Sequence, residues 1–295
     1  MAEIDLHIHT TASEDGELSP REIFTEAKRI GLRAIAFADH DSVDAVAEGL
    51  ALSREFGIAF APAVEISTRT QGYDLHVLGY FVDPHHEDLR QALSRIVQNR
   101  ATLAENRVRR LRELGFAIEA DDVFRAAAGR PPTTRAILTA LRGRPENMTN
   151  PDFSRYISGD RADSPVYNFW WDWLRHGRPA YLEMTSLSSV QAVRLIREIG
   201  GVSVLAHPGR TPLGLAEGLL DAGLDGIEVY CTTHSPEDVR TYEAFVREHG
   251  LLATAGSDFH GPTVKPGIRL GDLPRGDYAM FTTLRELARE RGGGR

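Results

Sequence analysis

The stretch Glu3-Ile4-Asp5-Leu6-His7-Ile8-His9 opens the chain with a short apolar run carrying two histidines two positions apart. Alternate residues of an extended strand face one side, so His7 and His9 project together, as two imidazoles on one cation must. The same device recurs outward from it. Asp39-His40-Asp41 closes a run at 33–38, Glu65 closes one at 58–64, and His76 sits within one at 74–81. His207 follows 202–206, Asp258 and His260 follow 251–255, and a further run lies at 226–230. Amphipathic helix patterns at 20–30, 43–56, 189–199 and 236–248 separate several of these runs. Ser19-Pro20 and Ser235-Pro236 each read as an N-cap followed by the first helical residue. Short strands alternating with helices predict an α/β fold on a parallel sheet, barrel or doubly wound. Such folds assemble their sites at the C-terminal ends of strands, which is where these histidines fall.

The chain has 295 residues, 42% hydrophobic and 26% charged, the balance of a globular protein with a sizeable core. Thirty-four basic residues against 42 acidic ones leave a net charge of −8, which argues against a passive nucleic-acid coat. A local basic patch facing an anionic substrate stays open. Cys231 is the only cysteine, so no intramolecular disulfide forms and a reducing, cytoplasmic setting is expected. No apolar run approaches the roughly 18 residues of a membrane span, and the opening residues do not read as a signal peptide. No obligate protein partner is signalled. Residues 87–177 carry no convincing strand and read as a helical insertion, including a polar segment at 143–164. This divides the chain into an α/β body at 1–86 and 178–295 and an inserted subdomain at 87–177. Residues 292–295 read as a frayed tail.

Six of the eleven histidines, with Asp15, Glu65 and Asp258, recur at strand ends. That exceeds the roughly four ligands of one tetrahedral ion and implies two or three. Glu65 is best placed to bridge them. Imidazoles and carboxylates without thiols suit zinc, manganese or iron. A lone histidine is usually an ordinary surface or core residue, and His85, His86, His176, His234 and His249 are read that way.

These motifs, together with His207-Pro208 and Ser257-Asp258-Phe259-His260, resemble those of the PHP (polymerase and histidinol phosphatase) superfamily. Arg130-Pro131 with Arg135, then Gly177-Arg178-Pro179-Ala180-Tyr181, resembles its stand-alone metal-dependent phosphoesterases. The resemblance implies a distorted seven-stranded (β/α) barrel with an inserted helical cap and a trinuclear site. His7, His9, Glu65 and Asp258 would hold one ion, Glu65, His76 and His207 a second, and Asp15, His40 and His260 a third. It implies a phosphatase removing the 3'-phosphate of a nucleoside 3',5'-bisphosphate to give AMP, through a metal-activated hydroxide. His207 or His260 would serve the leaving oxygen. A 5'-to-3' exonuclease on RNA or short oligonucleotides is the alternative; histidinol phosphate phosphatase and a non-catalytic accessory module rank below it. Two departures stand out. Ser13-Glu14-Asp15-Gly16 is one residue longer than the family's Ser-Asp-Gly, leaving Glu14 as an alternative to Asp15. Arg178 replaces a usual lysine, a fork in place of a point charge.

A helix pattern at 89–114 carries the apolar stripe Leu89, Leu93, Ile96, Leu103, Leu111 and Leu114, with Arg100 and Arg107 filling its gaps. Arg100 is read as a phosphate ligand, Arg107 as a stem lying along the interface. Arg130 and Arg135 bracket a Pro-Pro turn opening a helix at Thr133-Thr134, a ready phosphate site. The cluster Phe169-Trp170-Trp171-Asp172-Trp173 reads as the core of the insertion rather than a base-stacking surface. Asp5, Asp41 and Glu228 are expected to support the histidines from behind.

Overall fold

A computed structural model of the protein describes residues 2–183, 187–209 and 211–292. It divides into two compact units, Met1–Ser94 with Ser186–Arg295, and Arg95–Thr185. Of the tail read at 292–295, residues 293–295 lie outside the described residues.

The first unit is built on seven strands in sequential order: β1 (Ile4–Ile8), β2 (Ala34–Phe37), β3 (Ala59–Thr70), β4 (Tyr73–Tyr80), β5 (Val202–Leu205), β6 (Gly226–Cys231) and β7 (Leu252–Gly256). Past the end of β7 the chain returns to β1. Ile8 bridges Phe259, the His9 N–H donates to the Phe259 carbonyl at 2.9 Å, and the Asp258 N–H donates to the His7 carbonyl at 2.9 Å. The result is a nearly closed seven-stranded α/β barrel. Outer helices are α1 (Pro20–Ile30) and α2 (Val46–Phe56). The long α3 (Glu87–Glu113) follows β4. The serines read as caps do cap: Ser19 forms a reciprocal box with Glu22, and Ser235 one with Asp238. A cluster of Ile8, Ile23, Phe24, Ile35, Phe37, Phe60 and Phe259 fills the space between these helices and the sheet.

The sheet is not parallel throughout, as the alternation of strands and helices suggested. β4 runs antiparallel to both neighbours. The cause is local. Thr70 pairs with Tyr73, leaving only Gln71 and Gly72 in the turn, at φ +52° and +83°. Two consecutive positive φ values make the two-residue hairpin turn whose twist matches paired strands, and it leaves no room for a crossover helix. β3 also runs past Glu65 to Thr70, because Ile66, Thr68 and Thr70 continue its β-branched pattern opposite β4. Glu65 therefore stands within a strand, held on both sides.

The second unit is helical. It holds α4 (Ala120–Ala126), α5 (Thr134–Arg142), α6 (Pro145–Met148), α7 (Pro151–Ser158) and α8 (Pro165–Phe169), then a π-helical turn at Trp170–Leu174. The polar stretch at 143–164 thus folds mainly as α6 and α7. Its Asn147 side chain is buried and donates to the Ala117 and Leu141 carbonyls at 2.7 and 2.9 Å. Phe116, Ile137, Leu141, Phe153, Tyr156 and Phe169 form the core, with Trp170 and Trp173 packed against it. Trp173 Nε1–H donates to Tyr156 Oη at 3.0 Å, giving the half-buried indole its polar partner.

Back in the barrel unit, α9 (Ser189–Glu198), α10 (Leu213–Leu220), α11 (Pro236–His249) and α12 (Tyr278–Glu290) complete the helices. Gly256 at the end of β7 marks a close approach: a Cβ there would strike the His7 side chain and Glu228 Oε1. Gly256→Ala is expected to cost about 1–3 kcal/mol through overpacking and to lower the thermal midpoint, read by circular dichroism.

Candidate metal centre

Five of the seven strands, or the residues just after them, deliver histidines to one end of the barrel unit, and β3 delivers Glu65. His7 and His9 are fully buried, with their Nε2 atoms 3.2 Å apart. Glu65 is the hub. Its Oε1 lies 2.8 Å from His76 Nδ1 and 2.9 Å from His207 Nε2. Its Oε2 lies 3.3 Å from His7 Nε2, 3.2 Å from His9 Nε2 and 3.1 Å from His40 Nδ1. Asp258 Oδ1 faces His9 Nε2 at 3.3 Å, His260 Nδ1 at 3.4 Å and His7 Nε2 at 3.7 Å. Asp15, from the loop before α1, places Oδ2 3.0 Å from His260 Nε2 and 3.7 Å from His40 Nε2. All nine residues read from the sequence therefore converge. Four overlapping groups have donor spacing that suits a cation: His9-Asp15-His40-His260, His7-Glu65-His207, His7-His9-Asp258 and His40-Glu65-His76.

The donor atoms fit divalent cations. Among the described residues, Glu65 Oε2, Asp258 Oδ1 and His40 Nδ1 are buried and make no hydrogen bond. Yet ring nitrogens and carboxylate oxygens of this cluster face one another at 3.1 to 3.3 Å, the arrangement a shared cation would satisfy. The tautomers point the same way. Glu228 accepts from His7 Nδ1 at 3.0 Å, which leaves the lone pair of His7 Nε2 facing the cluster. His260 Nδ1 donates to the Asp258 carbonyl at 2.9 Å, which leaves Nε2 toward Asp15.

Three non-glycine residues of this rim hold a left-handed backbone: Asp41 (φ +51°), His207 (+22°) and Asp258 (+56°). Each costs on the order of 1–3 kcal/mol and persists only when its surroundings hold it. Asp41 N–H donates to the Glu65 carbonyl at 2.9 Å, and Asp41 Oδ1 accepts the Ser67 N–H at 2.8 Å. Glu228 Oε2 accepts the His207 N–H at 2.9 Å, so one carboxylate orients His7 and anchors His207. Asp5 accepts from the Ser257 and Gly271 amides at 2.9 and 2.8 Å, and burial pushes its pKa up to about 6.

Burial opposes charge on every group here, and neighbours decide the outcome. Burial works against His7, but Glu228 and Glu65 outweigh it and hold its pKa well above the ordinary value. His9 is likewise lifted against burial to about 9, by Asp258, Glu65 and Asp15. Burial and the charge of His9 hold His260 down. The imidazoles keep Glu65 and Asp258 well below the usual carboxylate range despite burial.

One residue here was not read from the sequence. Lys265, in the irregular stretch after β7, contacts Asp258 Oδ2, leaving Oδ1 to the histidines. No periodic pattern marks it. The four arginines singled out all belong to the second unit. Arg130 and Arg135 are exposed at the turn ahead of and at the start of α5, while Arg100 and Arg178 are half-buried.

The PHP domain pattern matches residues 5–114. The chain is 33% identical over 270 residues to a 3',5'-nucleoside bisphosphate phosphatase from Chromobacterium violaceum, covering 89% of this chain and 88% of that one. The chain belongs to the PHP family. A second PHP relative, the 5'-3' exoribonuclease Rnm of Escherichia coli, is 30% identical over 302 residues, covering 96% of this chain and 97% of that protein. A crystal structure from Bifidobacterium adolescentis, assigned as a metal-dependent phosphoesterase, superimposes with a TM-score of 0.77 at 25% identity, covering 97% and 96% of the two chains.

Protons and cations compete for these ring nitrogens. Because His9 is held up to about 9 from an ordinary 6.5, a cation must displace its proton near neutral pH. Affinity is expected to rise with pH between those values. In metal-free protein the same shift favours folding below about 6.5 and that contribution is lost as pH climbs through about 9. Manganese calorimetry at pH 7 in buffers of differing ionisation heat should report proton release; a heat independent of buffer would contradict it.

Proposed function

We propose that the protein is a phosphomonoesterase acting on a small nucleotide, removing the 3'-phosphate of a nucleoside 3',5'-bisphosphate to leave AMP from the adenosine form. The observation that carries this reading is the buried Glu65 carboxylate, its two oxygens shared among five imidazoles. The phosphatase from Chromobacterium violaceum supports the substrate class. Three divalent ions, zinc, manganese or iron, fit the donor set. His7, His9, Glu65 and Asp258 would hold one, Glu65, His76 and His207 another, and Asp15, His40 and His260 the third. When bound, such ions polarise the phosphoryl group and lower the pKa of water toward neutrality.

The chain's own residues do the rest. Glu228 keeps the His7 ring oriented, and Lys265 fixes which Asp258 oxygen faces the cluster. His260 spends its Nδ1 proton on a carbonyl and is held neutral, so it presents a lone pair rather than an acid. His207, the other histidine assigned to the leaving oxygen, is raised against burial by Glu65 and Asp258 in the metal-free chain. As a ligand it would lose that proton, and the leaving oxygen would then be stabilised by the cation it helps to hold. Arg100, Arg130, Arg135 and Arg178 bind phosphate oxygens, as guanidinium forks do. Residues 87–177 act as the substrate-binding insertion on an α/β body at 1–86 and 178–295. Cys231, a buried thiol pushed up to about 12 by burial and Glu228, suits a cytoplasmic protein with no disulfide. Among the described residues, no helix is long and apolar enough to cross a membrane.

A second reading, 5'-to-3' exonuclease on short RNA, is favoured by the near-complete alignment with the Escherichia coli exoribonuclease. Phosphate release with manganese from adenosine 3',5'-bisphosphate, histidinol phosphate, 5'-AMP and a 5'-phosphorylated RNA separates them. Strong release from the bisphosphate with AMP as product is expected; stepwise shortening of the RNA would favour the exonuclease. His9→Ala and Asp258→Ala should each lower turnover by more than the 10–100-fold typical of an outer-sphere change, with the fold intact by circular dichroism. Arg135→Ala should chiefly raise KM; an unchanged KM would return Arg135 to a solvated turn.

A further inference from the structure

His234 was set aside on sequence as an ordinary histidine, yet its two ring nitrogens both bind main chain. Nδ1 lies 2.9 Å from the Val229 carbonyl oxygen, and the Gly209 N–H donates to Nε2 at 3.0 Å. A carbonyl only accepts, so Nδ1 carries the proton and Nε2 offers its lone pair; a single neutral tautomer satisfies both bonds. The ring stacks on Tyr242 of α11, centroids 5.8 Å apart, and the Tyr242 hydroxyl donates to the Thr211 carbonyl at 3.2 Å.

The segment held in this way is the one that carries His207. His207 and Gly209 both have positive φ, +22° and +52°. Glu228 of β6 takes the His207 N–H at 2.9 Å, and His234, in the turn after β6, takes the Gly209 N–H two residues on. The loop is pinned on both sides of Pro208, and the His207 ring leaves it to meet Glu65 Oε1 at 2.9 Å, stacked on His7 at 5.4 Å.

We propose that His234 is a positioning residue for the metal centre, its imidazole bridging the Val229 carbonyl and the Gly209 amide so that the His207 loop keeps the backbone that aims His207 Nε2 at Glu65. The inference rests on reading His207 as a metal ligand. Filling space beside Tyr242 needs only a flat ring. Bridging needs a donor and an acceptor on one side chain, which glutamine supplies and phenylalanine does not.

The full-length chain and its His234→Phe, His234→Gln and His207→Ala variants are titrated with manganese alone, and kcat and KM are measured on the bisphosphate. His234→Phe should weaken manganese binding about 10–100-fold, lower kcat and leave KM near the wild-type value, while His234→Gln recovers most of the loss. If His234→Phe does not fold, His234→Ala takes its place and must show the same loss. Wild-type manganese affinity in His234→Phe, or equal impairment in a folded His234→Gln, overturns the proposal while the ligand reading stands. Full manganese binding by His207→Ala overturns the ligand reading and the proposal with it.

Discussion

A carboxylate sealed from solvent in the middle of a strand has to be compensated, and Glu65 is fully buried. Its two oxygens sit within 3.3 Å of five imidazoles drawn from β1, the ends of β2 and β5, and β4. No single strand could supply that many partners. The barrel solves the problem by converging its strands on one point, and the hairpin after β3 brings His76 alongside Glu65 rather than on a distant strand. Imidazolium groups can neutralise the carboxylates of the metal-free chain. Cations can do so with neutral imidazoles, and only they satisfy the lone pairs that otherwise face one another.

The supporting groups act more on main chain than on side chains. Asp5 and Glu228 accept the amides of Ser257 and His207, which adjoin or carry a positive φ, and Asp41, itself at positive φ, accepts the Ser67 amide within β3. Strained backbone at a rim needs fixed acceptors, because a solvated amide would let the loop relax. Asp39 follows the same rule, taking the Thr10 amide at 2.7 Å and steadying the loop that leads to Asp15.

Much of this was legible in the residues. Apolar runs ending in histidine or aspartate carry both the strand and its site, so fold and donor set could be read together. Three things were not legible, for separable reasons. The antiparallel β4 depends on the two-residue turn at Gln71 and Gly72, and a strand's direction leaves no mark in its own composition. Lys265 contacts Asp258 from a stretch with no periodicity to locate it. His234 binds a carbonyl and an amide, which every residue possesses, so its partners have no signature in side-chain pattern.

The closure between His9 and Phe259 has a consequence for the chain as it is made. The first and last site motifs are separated by nearly the whole sequence, and the contact that joins them is among the most non-local in the barrel. During synthesis the segments that carry His7, His9, His40, Glu65 and His76 emerge well before those that carry His207, Asp258 and His260. Non-local pairing of this kind is slow and comes late. A chain that lacks β7 and the segment after it has neither Asp258 nor His260, and offers only part of the donor set gathered here.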